Sequence, residues 1–179
     1  MSWSQEAYLA AWHFAAEAHR GQKVPGSKSP YIVHVAAVAM EVIAALREET
    51  VDHPDLAVQC ALLHDTVEDT DTSAEDLAER FGAAVTGGVA ALSKRGDLAK
   101  PEAMRDSLER ISAQPREIAM VKLADRITNL QPPPDFWTAE KCTAYRAEAQ
   151  DIHAALAGAS PYLAARLAAK IEAYAAYCA

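Results

Sequence analysis

The stretch ALLHDTVEDT at positions 61–70 constrains what this chain can fold into more than any other part of the sequence. Residues 56–63 are almost all apolar, which predicts a helix that enters the protein interior. One histidine and three carboxylates stand at the inner end of that helix: His64, Asp65, Glu68 and Asp69. Buried groups of like charge either become neutral by shifting their pKa values or bind a cation. Because His and Asp are common ligands of divalent metals, the stretch indicates a metal site.

The whole chain, residues 1–179, is predicted to form a single all-α domain. Its length suffices for one core, and an apolar content of 51% with many alanines favours packed helices. A capping box is predicted at Thr72–Glu75. Apolar spacing, prolines and capping residues predict helices over about 4–19, 31–47, 54–69, 72–81, 83–93, 101–113, 115–130, 138–158 and from 161 nearly to the C-terminus.

The charge balance excludes several function classes. A net charge of −8 argues against general binding to nucleic acid or to an anionic membrane surface. No apolar stretch is long enough to span a bilayer, and the first residues lack the pattern of a signal peptide. The three cysteines are odd in number and lack CxxC spacing, so neither a disulfide framework nor a zinc site is indicated, which fits a reducing compartment. We therefore expect a cytoplasmic protein.

A loop at positions 20–30 concentrates positive charge in this acidic chain. It is rich in Gly, Pro and Ser and contains Arg20, Lys23 and Lys28 without any acidic residue. The loop is either a solvated surface segment or a contact for a phosphate or nucleotide. The residues alone leave both interpretations open.

Two more side chains are candidate metal ligands. His34 lies in the first turn of the second helix between apolar neighbours, where a single histidine is more often a packed core residue. The His-Asp pair at 64–65 raises the odds that His34 is a ligand. Asp125 follows an apolar run and is predicted to point inward, where the alternative to a ligand is an ion pair with Lys122 or Arg126.

Taken in order, His34, the pair His64–Asp65 and Asp125 resemble the metal-binding set of the HD superfamily of phosphohydrolases. Within that superfamily, the chain resembles the small alarmone hydrolases, relatives of the hydrolase domain of Rel/Spo-type (p)ppGpp enzymes. The stretches that support the resemblance span most of the chain: His19–Gln22, Pro30–His34, Leu62–Thr70, Phe81–Gly82 and Lys122–Leu130.

The resemblance implies an HD-type helical bundle with a central metal site. The implied ion is Mn²⁺, with Fe²⁺ or Zn²⁺ less favoured. Hydroxide produced at the metal would attack the 3′-diphosphate of a nucleotide and release pyrophosphate. Glu68 is expected to be the general base, and Asp69 to orient the water or relay its proton. The implied metal ligands are His34, His64, Asp65 and Asp125.

The resemblance also implies a small-molecule nucleotide substrate. Asn129 matches a nucleotide-contacting position, and Tyr145 matches another on the following helix. Family members often carry an arginine that stacks on the base at the position of Val24. This departure leaves the base preference open between a guanosine alarmone, which is the default expectation, and an adenosine analogue such as (p)ppApp. Two further alternatives are a general HD phosphohydrolase of other nucleotides and a non-catalytic binding module. The candidates to offset phosphate charge are Lys23, Lys94, Lys122 and Arg126.

Overall fold

The computed structural model describes residues 3–178, apart from the side chains of residues 100 and 101. In this part of the chain the regular structure is helical, which confirms the all-α prediction, and the one β-bridge joins Lys23 and Pro30 within the basic loop. None of the described helices is both long and apolar enough to cross a membrane. The helices are α1 (Gln5–Ala18), α2 (Ile32–Glu48), α3 (Pro54–Leu63), α4 (Thr66–Asp69), α5 (Ala74–Leu92), α6 (Lys100–Ser112), α7 (Arg116–Asn129), α8 (Ala139–Leu156) and α9 (Pro161–Tyr174).

Helices α3 and α7 form the centre of the fold. Helix α3 packs against α1, α2 and α7, and it buries Leu62 and Leu63 completely. Helix α7 packs against α2, α3, α8 and α9, and every side chain from Glu117 to Ile127 is buried. Each buried Leu or Ile contributes roughly 1.5–3 kcal/mol to folding, so this packing fixes the depth of both helices. The candidate ligands on them are therefore held inside the protein.

The predicted central helix over 54–69 is wrong in one respect, because the helix breaks where the candidate ligands lie. Helix α3 ends at Leu63, and α4 begins at Thr66. Asp65 at the junction has φ −102° and ψ −1°, about 40° away in each angle from the values of a regular helix. The Thr66 hydroxyl donates to the Leu63 carbonyl at 2.7 Å, so a side chain satisfies a backbone acceptor at the break.

The helix caps agree with the sequence at α1 and differ at α5. Ser4 caps α1, since its hydroxyl accepts the Ala7 N–H at 3.2 Å. At α5 the capping box is formed by Ser73 and Asp76, whose side chains each accept the other's backbone N–H. The prediction of a box at Thr72–Glu75 is wrong by one residue. The Thr72 hydroxyl instead lies 2.8 Å from that of Thr70.

Candidate metal centre

Three helices bring two imidazoles and a carboxylate to one point. His34 comes from the first turn of α2, His64 from the end of α3 and Asp125 from α7, and one ligand atom of each lies within 4.8 Å of the others. The two Nε2 atoms are 3.3 Å apart, and Asp125 Oδ1 lies 3.5 Å from His34 Nε2 and 3.9 Å from His64 Nε2. The contacts of α2, α3 and α7 with one another create this cluster.

Asp65 joins the cluster through the break between α3 and α4. Its Oδ2 lies 2.8 Å from His64 Nε2 and 3.6 Å from His34 Nε2. Consecutive residues of a regular helix do not face each other, so the contact between His64 and Asp65 depends on the break. The four side chains thus surround a common space. The ligand assignment itself stays a prediction.

The histidine tautomer suits a metal ligand. The Nδ1 atom of His64 lies 2.9 Å from the Ala61 carbonyl oxygen, which can only accept a hydrogen bond, so Nδ1 carries the proton. In a neutral His64, Nε2 therefore presents its lone pair to the cluster. The Nδ1 atom of His34 lies 3.5 Å from the Thr128 hydroxyl, one turn beyond Asp125.

The electrostatics of the cluster favour ionised carboxylates. Burial alone would raise the pKa of Asp125, but the charge of Lys122 and a hydrogen bond with His34 hold it well below its ordinary range. Burial lowers the pKa of His34, yet hydrogen bonds with Asp125 and Asp65 outweigh that effect and raise it to about 9. Without a metal, His34 holds a proton near neutral pH, and a bound cation would displace it. This set of nitrogen and oxygen donors fits a divalent metal.

Two side chains hold Asp125 in place. Lys122 Nζ donates to Asp125 Oδ2 at 3.2 Å, and Asn129 Nδ2 donates to Oδ1 at 2.5 Å. The ion pair proposed as the alternative role of Asp125 therefore exists, beside its contact with His34. Asn129, predicted to contact the nucleotide, is engaged with a candidate ligand instead of being free for substrate in this structure.

The two predicted catalytic carboxylates are both exposed, but they have different partners. Glu68 is exposed, and its Oε2 accepts the backbone N–H of Lys94 at 2.8 Å. Asp69 lies closer to the cluster, since its Oδ2 is 3.4 Å from the hydroxyl of Tyr31, which also contacts Asp65. Burial and the negative charge of Asp65 raise the pKa of Asp69. Asp69 is therefore linked to the cluster, whereas Glu68 is tied to the segment after α5.

The remaining predicted nucleotide residues divide into exposed and buried groups. Lys23 and Lys94 are exposed and free to meet an anion. Arg126 is only 3% exposed, and its guanidinium lies 4.6 Å from the ring centroid of Tyr145 and pairs with Glu148. Direct contact of Arg126 with a phosphate is thus not supported by this structure. Its position instead supports the ring of Tyr145.

Sequence reasoning missed the site role of Tyr31 and Thr128. Tyr31 was predicted only as the start of a helix, although it lies three residues before His34. Thr128 lies three residues after Asp125 on α7. Side chains at this spacing share one face of a helix, and that was the available signal.

Known proteins resemble this chain in sequence and in overall fold. A family model described as HD domain matches residues 11–162. The guanosine-3′,5′-bis(diphosphate) 3′-pyrophosphohydrolase MESH1 of Danio rerio is 35% identical over 164 residues, which are 89% of each chain. The guanosine-3′,5′-bis(diphosphate) 3′-pyrophosphohydrolase of Aquifex aeolicus is 33% identical over 152 residues, which are 82% of this chain and 20% of that protein. A solved structure of a metazoan ortholog of SpoT that hydrolyses ppGpp superposes with a TM-score of 0.81 and 30% identity, covering 97% of this chain and 98% of that chain.

Proposed function

The chain belongs to the HD domain family, and from that membership we propose that it catalyses Mn²⁺-dependent hydrolysis of the 3′-diphosphate of a (p)ppGpp-type alarmone, with release of pyrophosphate. The relatives named above act on ppGpp according to their names. The single observation that supports the proposal best is the convergence of His34, His64 and Asp125 on one point, with Asp65 beside them.

In the proposed reaction, His34, His64, Asp65 and Asp125 would hold the ion. When bound, a divalent metal lowers the pKa of a coordinated water and supplies hydroxide near neutral pH. Hydrolysis leaves the water oxygen in pyrophosphate, and a proton must reach the departing 3′ oxygen of the nucleotide. Asp69, with its raised pKa and its link to the cluster, is suited to hold that proton.

Glu68 is the second catalytic carboxylate of the proposal. Its contact with the backbone N–H of Lys94 brings it next to a cation that is a candidate for phosphate binding. In a chain of net charge −8, an anionic nucleotide needs such local cations, and Lys23 is another candidate. Single Glu68→Gln and Asp69→Asn proteins, compared for kcat at saturating substrate and metal, would rank the two carboxylates.

Tyr145 is the proposed contact for the nucleotide's sugar or base. The Arg126 guanidinium stacks over the face of the Tyr145 ring, and Trp137 packs edge-on against the same ring with ring centroids 5.2 Å apart. The proposal therefore gives Arg126 an indirect role in nucleotide binding, in place of the direct phosphate contact that the sequence suggested.

The test is to incubate the purified protein with ppGpp or ppApp in the presence of Mn²⁺ and to measure pyrophosphate. We expect release that falls at least about 100-fold in His64→Ala protein, since a ligand of the ion is lost. His53→Ala is the matched control, because His53 is an exposed histidine outside the cluster. Release that persists unchanged in His64→Ala protein would overturn the proposal.

The parallel use of the two alarmones also resolves the base preference. A panel of other nucleotides distinguishes an alarmone hydrolase from a general HD phosphohydrolase. Elemental analysis addresses the metal: stoichiometric manganese supports the proposal, and another stoichiometric transition metal corrects its identity.

A further inference from the structure

The hydroxyl of Tyr31 lies between two carboxylates that have different proposed roles. Its Oη donates to Asp65 Oδ2 at 2.5 Å and lies 3.4 Å from Asp69 Oδ2. A phenol has a single proton, so it donates to one carboxylate at a time, and its oxygen can accept a hydrogen bond only from a protonated carboxyl group. The shorter distance assigns that proton to Asp65. The same oxygen thereby links the metal cluster to Asp69.

The ring that carries this hydroxyl is fixed from several sides. Tyr31 is buried, and its ring centroid lies 4.8 Å from that of His19 and 5.3 Å from that of His34. The backbone N–H of Tyr31 donates to the Gln22 carbonyl at 2.9 Å. His19 is itself buried and held by a 2.5 Å contact between its Nδ1 and Gln22 Oε1. These contacts leave the hydroxyl little freedom to turn away from the carboxylates.

We propose that Tyr31 is a positioning residue, whose hydroxyl holds Asp65 in ligand geometry and ties Asp69 to it at a fixed separation. The inference rests on the proposed function, in which Asp65 binds the ion and Asp69 handles the proton. Hydrogen bonds to metal ligands typically affect metal affinity or activity by about 10–100-fold. His19 and Gln22 contribute by orienting the ring of Tyr31.

Tyr31→Phe tests the inference, because it removes one oxygen and keeps the ring that packs against His19. The matched control is Tyr8→Phe, which removes the hydroxyl of a tyrosine that packs against Trp3 and Trp12 on α1, away from the cluster. Two quantities are measured on each protein. One is the dissociation constant for Mn²⁺ from an electron paramagnetic resonance titration without substrate, and the other is kcat with KM at saturating Mn²⁺.

The expected result has two parts. Tyr31→Phe raises the dissociation constant for Mn²⁺ about 10-fold or more, because Asp65 loses its hydrogen bond. At saturating Mn²⁺ it also lowers kcat about 10-fold with little change in KM, because Asp69 is no longer held. In an Asp69→Asn background, Tyr31→Phe produces no further loss of kcat, since the carboxylate that Tyr31 positions is already absent. A purely structural role would give additive losses instead.

Unchanged Mn²⁺ affinity in Tyr31→Phe protein would overturn the inference for Asp65, and unchanged or additive kcat losses would overturn it for Asp69. An equal effect of Tyr8→Phe would also overturn it, because the effect would then be general. The Mn²⁺ titration needs no substrate. If the unmodified protein does not hydrolyse either alarmone, the proposed function fails while the role of Tyr31 toward Asp65 is still tested.

Discussion

Two adjacent glycines on α5 predict opposite effects of the same substitution. A Cβ built at Gly88 would lie 2.5 Å from Ile118 Cδ1 and 2.8 Å from Cys60 Sγ, whereas a Cβ at Gly87 would meet nothing closer than Gln114 Oε1 at 3.8 Å. Neither glycine has a positive φ, so alanine is allowed by the backbone at both positions. The two substitutions therefore differ only in how the new Cβ packs against its neighbours.

The magnitudes follow from two opposing terms. Replacing glycine by alanine inside a helix stabilises it by roughly 0.5–1 kcal/mol, and Gly87→Ala should gain this amount. Gly88→Ala gains the same term but overpacks the contact between α5 and its neighbours. Ile118 and Cys60 are both completely buried, so neither side chain can swing into solvent. Overpacking of this kind costs about 1–3 kcal/mol, which leaves a net loss of roughly 0–2.5 kcal/mol.

The assay is urea unfolding of the unmodified protein and both variants, with the free energy of unfolding compared at equal slope. Ile118→Val supplies the mechanistic control, because it removes the Cδ1 atom that a Cβ at Gly88 would approach most closely. In the Ile118→Val background, Gly88→Ala should cost about 1 kcal/mol less than in the unmodified protein. If Gly88→Ala stabilised the protein as much as Gly87→Ala, the close approach of α5 to Ile118 and Cys60 would be refuted.

Three further predictions concern the site and the caps. Asn129→Ala removes a donor to Asp125 and should weaken Mn²⁺ binding about 10–100-fold in a metal titration; unchanged affinity would refute the support of that ligand. Ser73→Ala should lower the free energy of unfolding by about 1 kcal/mol, whereas Thr72→Ala should cost less, and equal losses in urea unfolding would contradict the observed capping box. The metal-free protein should lose stability as pH rises from 6.5 to about 9, because the fold raises the pKa of His34 and so stabilises its protonated form. This contribution to the free energy of unfolding is complete below pH 6.5 and gone above about pH 9. Thermal unfolding in chelator should show this falling Tm, and a flat profile over that window would contradict it.

Local signals were sufficient to predict most helices, because their starts and stops are specified by nearby residues. Ser4 caps α1, and Pro161 begins α9 in the structure as in the sequence. The predicted break at Gly82 is also present, since this residue adopts φ +79° within α5. Such features depend on backbone and side-chain chemistry within one turn of the chain.

The break between α3 and α4 could not be predicted in the same way. No glycine or proline interrupts residues 55–69, and the contacts that accompany the break come from elsewhere in the fold, including the Tyr31 hydroxyl on Asp65. Burial of Arg126 likewise depends on Tyr145 and Glu148, which belong to α8. The sequence identifies which side chains can perform the chemistry, whereas their orientation depends on neighbours far away in the chain.

The triple proline at 132–134 has a consequence for the basic loop. A Cβ at Gly26, where φ is +74°, would lie 2.8 Å from Pro134 Cγ, so the loop tip rests directly on the proline segment. Prolines fix their own φ angles, which makes residues 132–134 a stiff segment shortly after the end of α7 at Asn129. The cationic loop tip thus contacts a rigid segment of the chain that follows the helix carrying Asp125. Inserting or deleting a residue in this segment would reposition Lys23 and Lys28 without altering any of the candidate metal ligands.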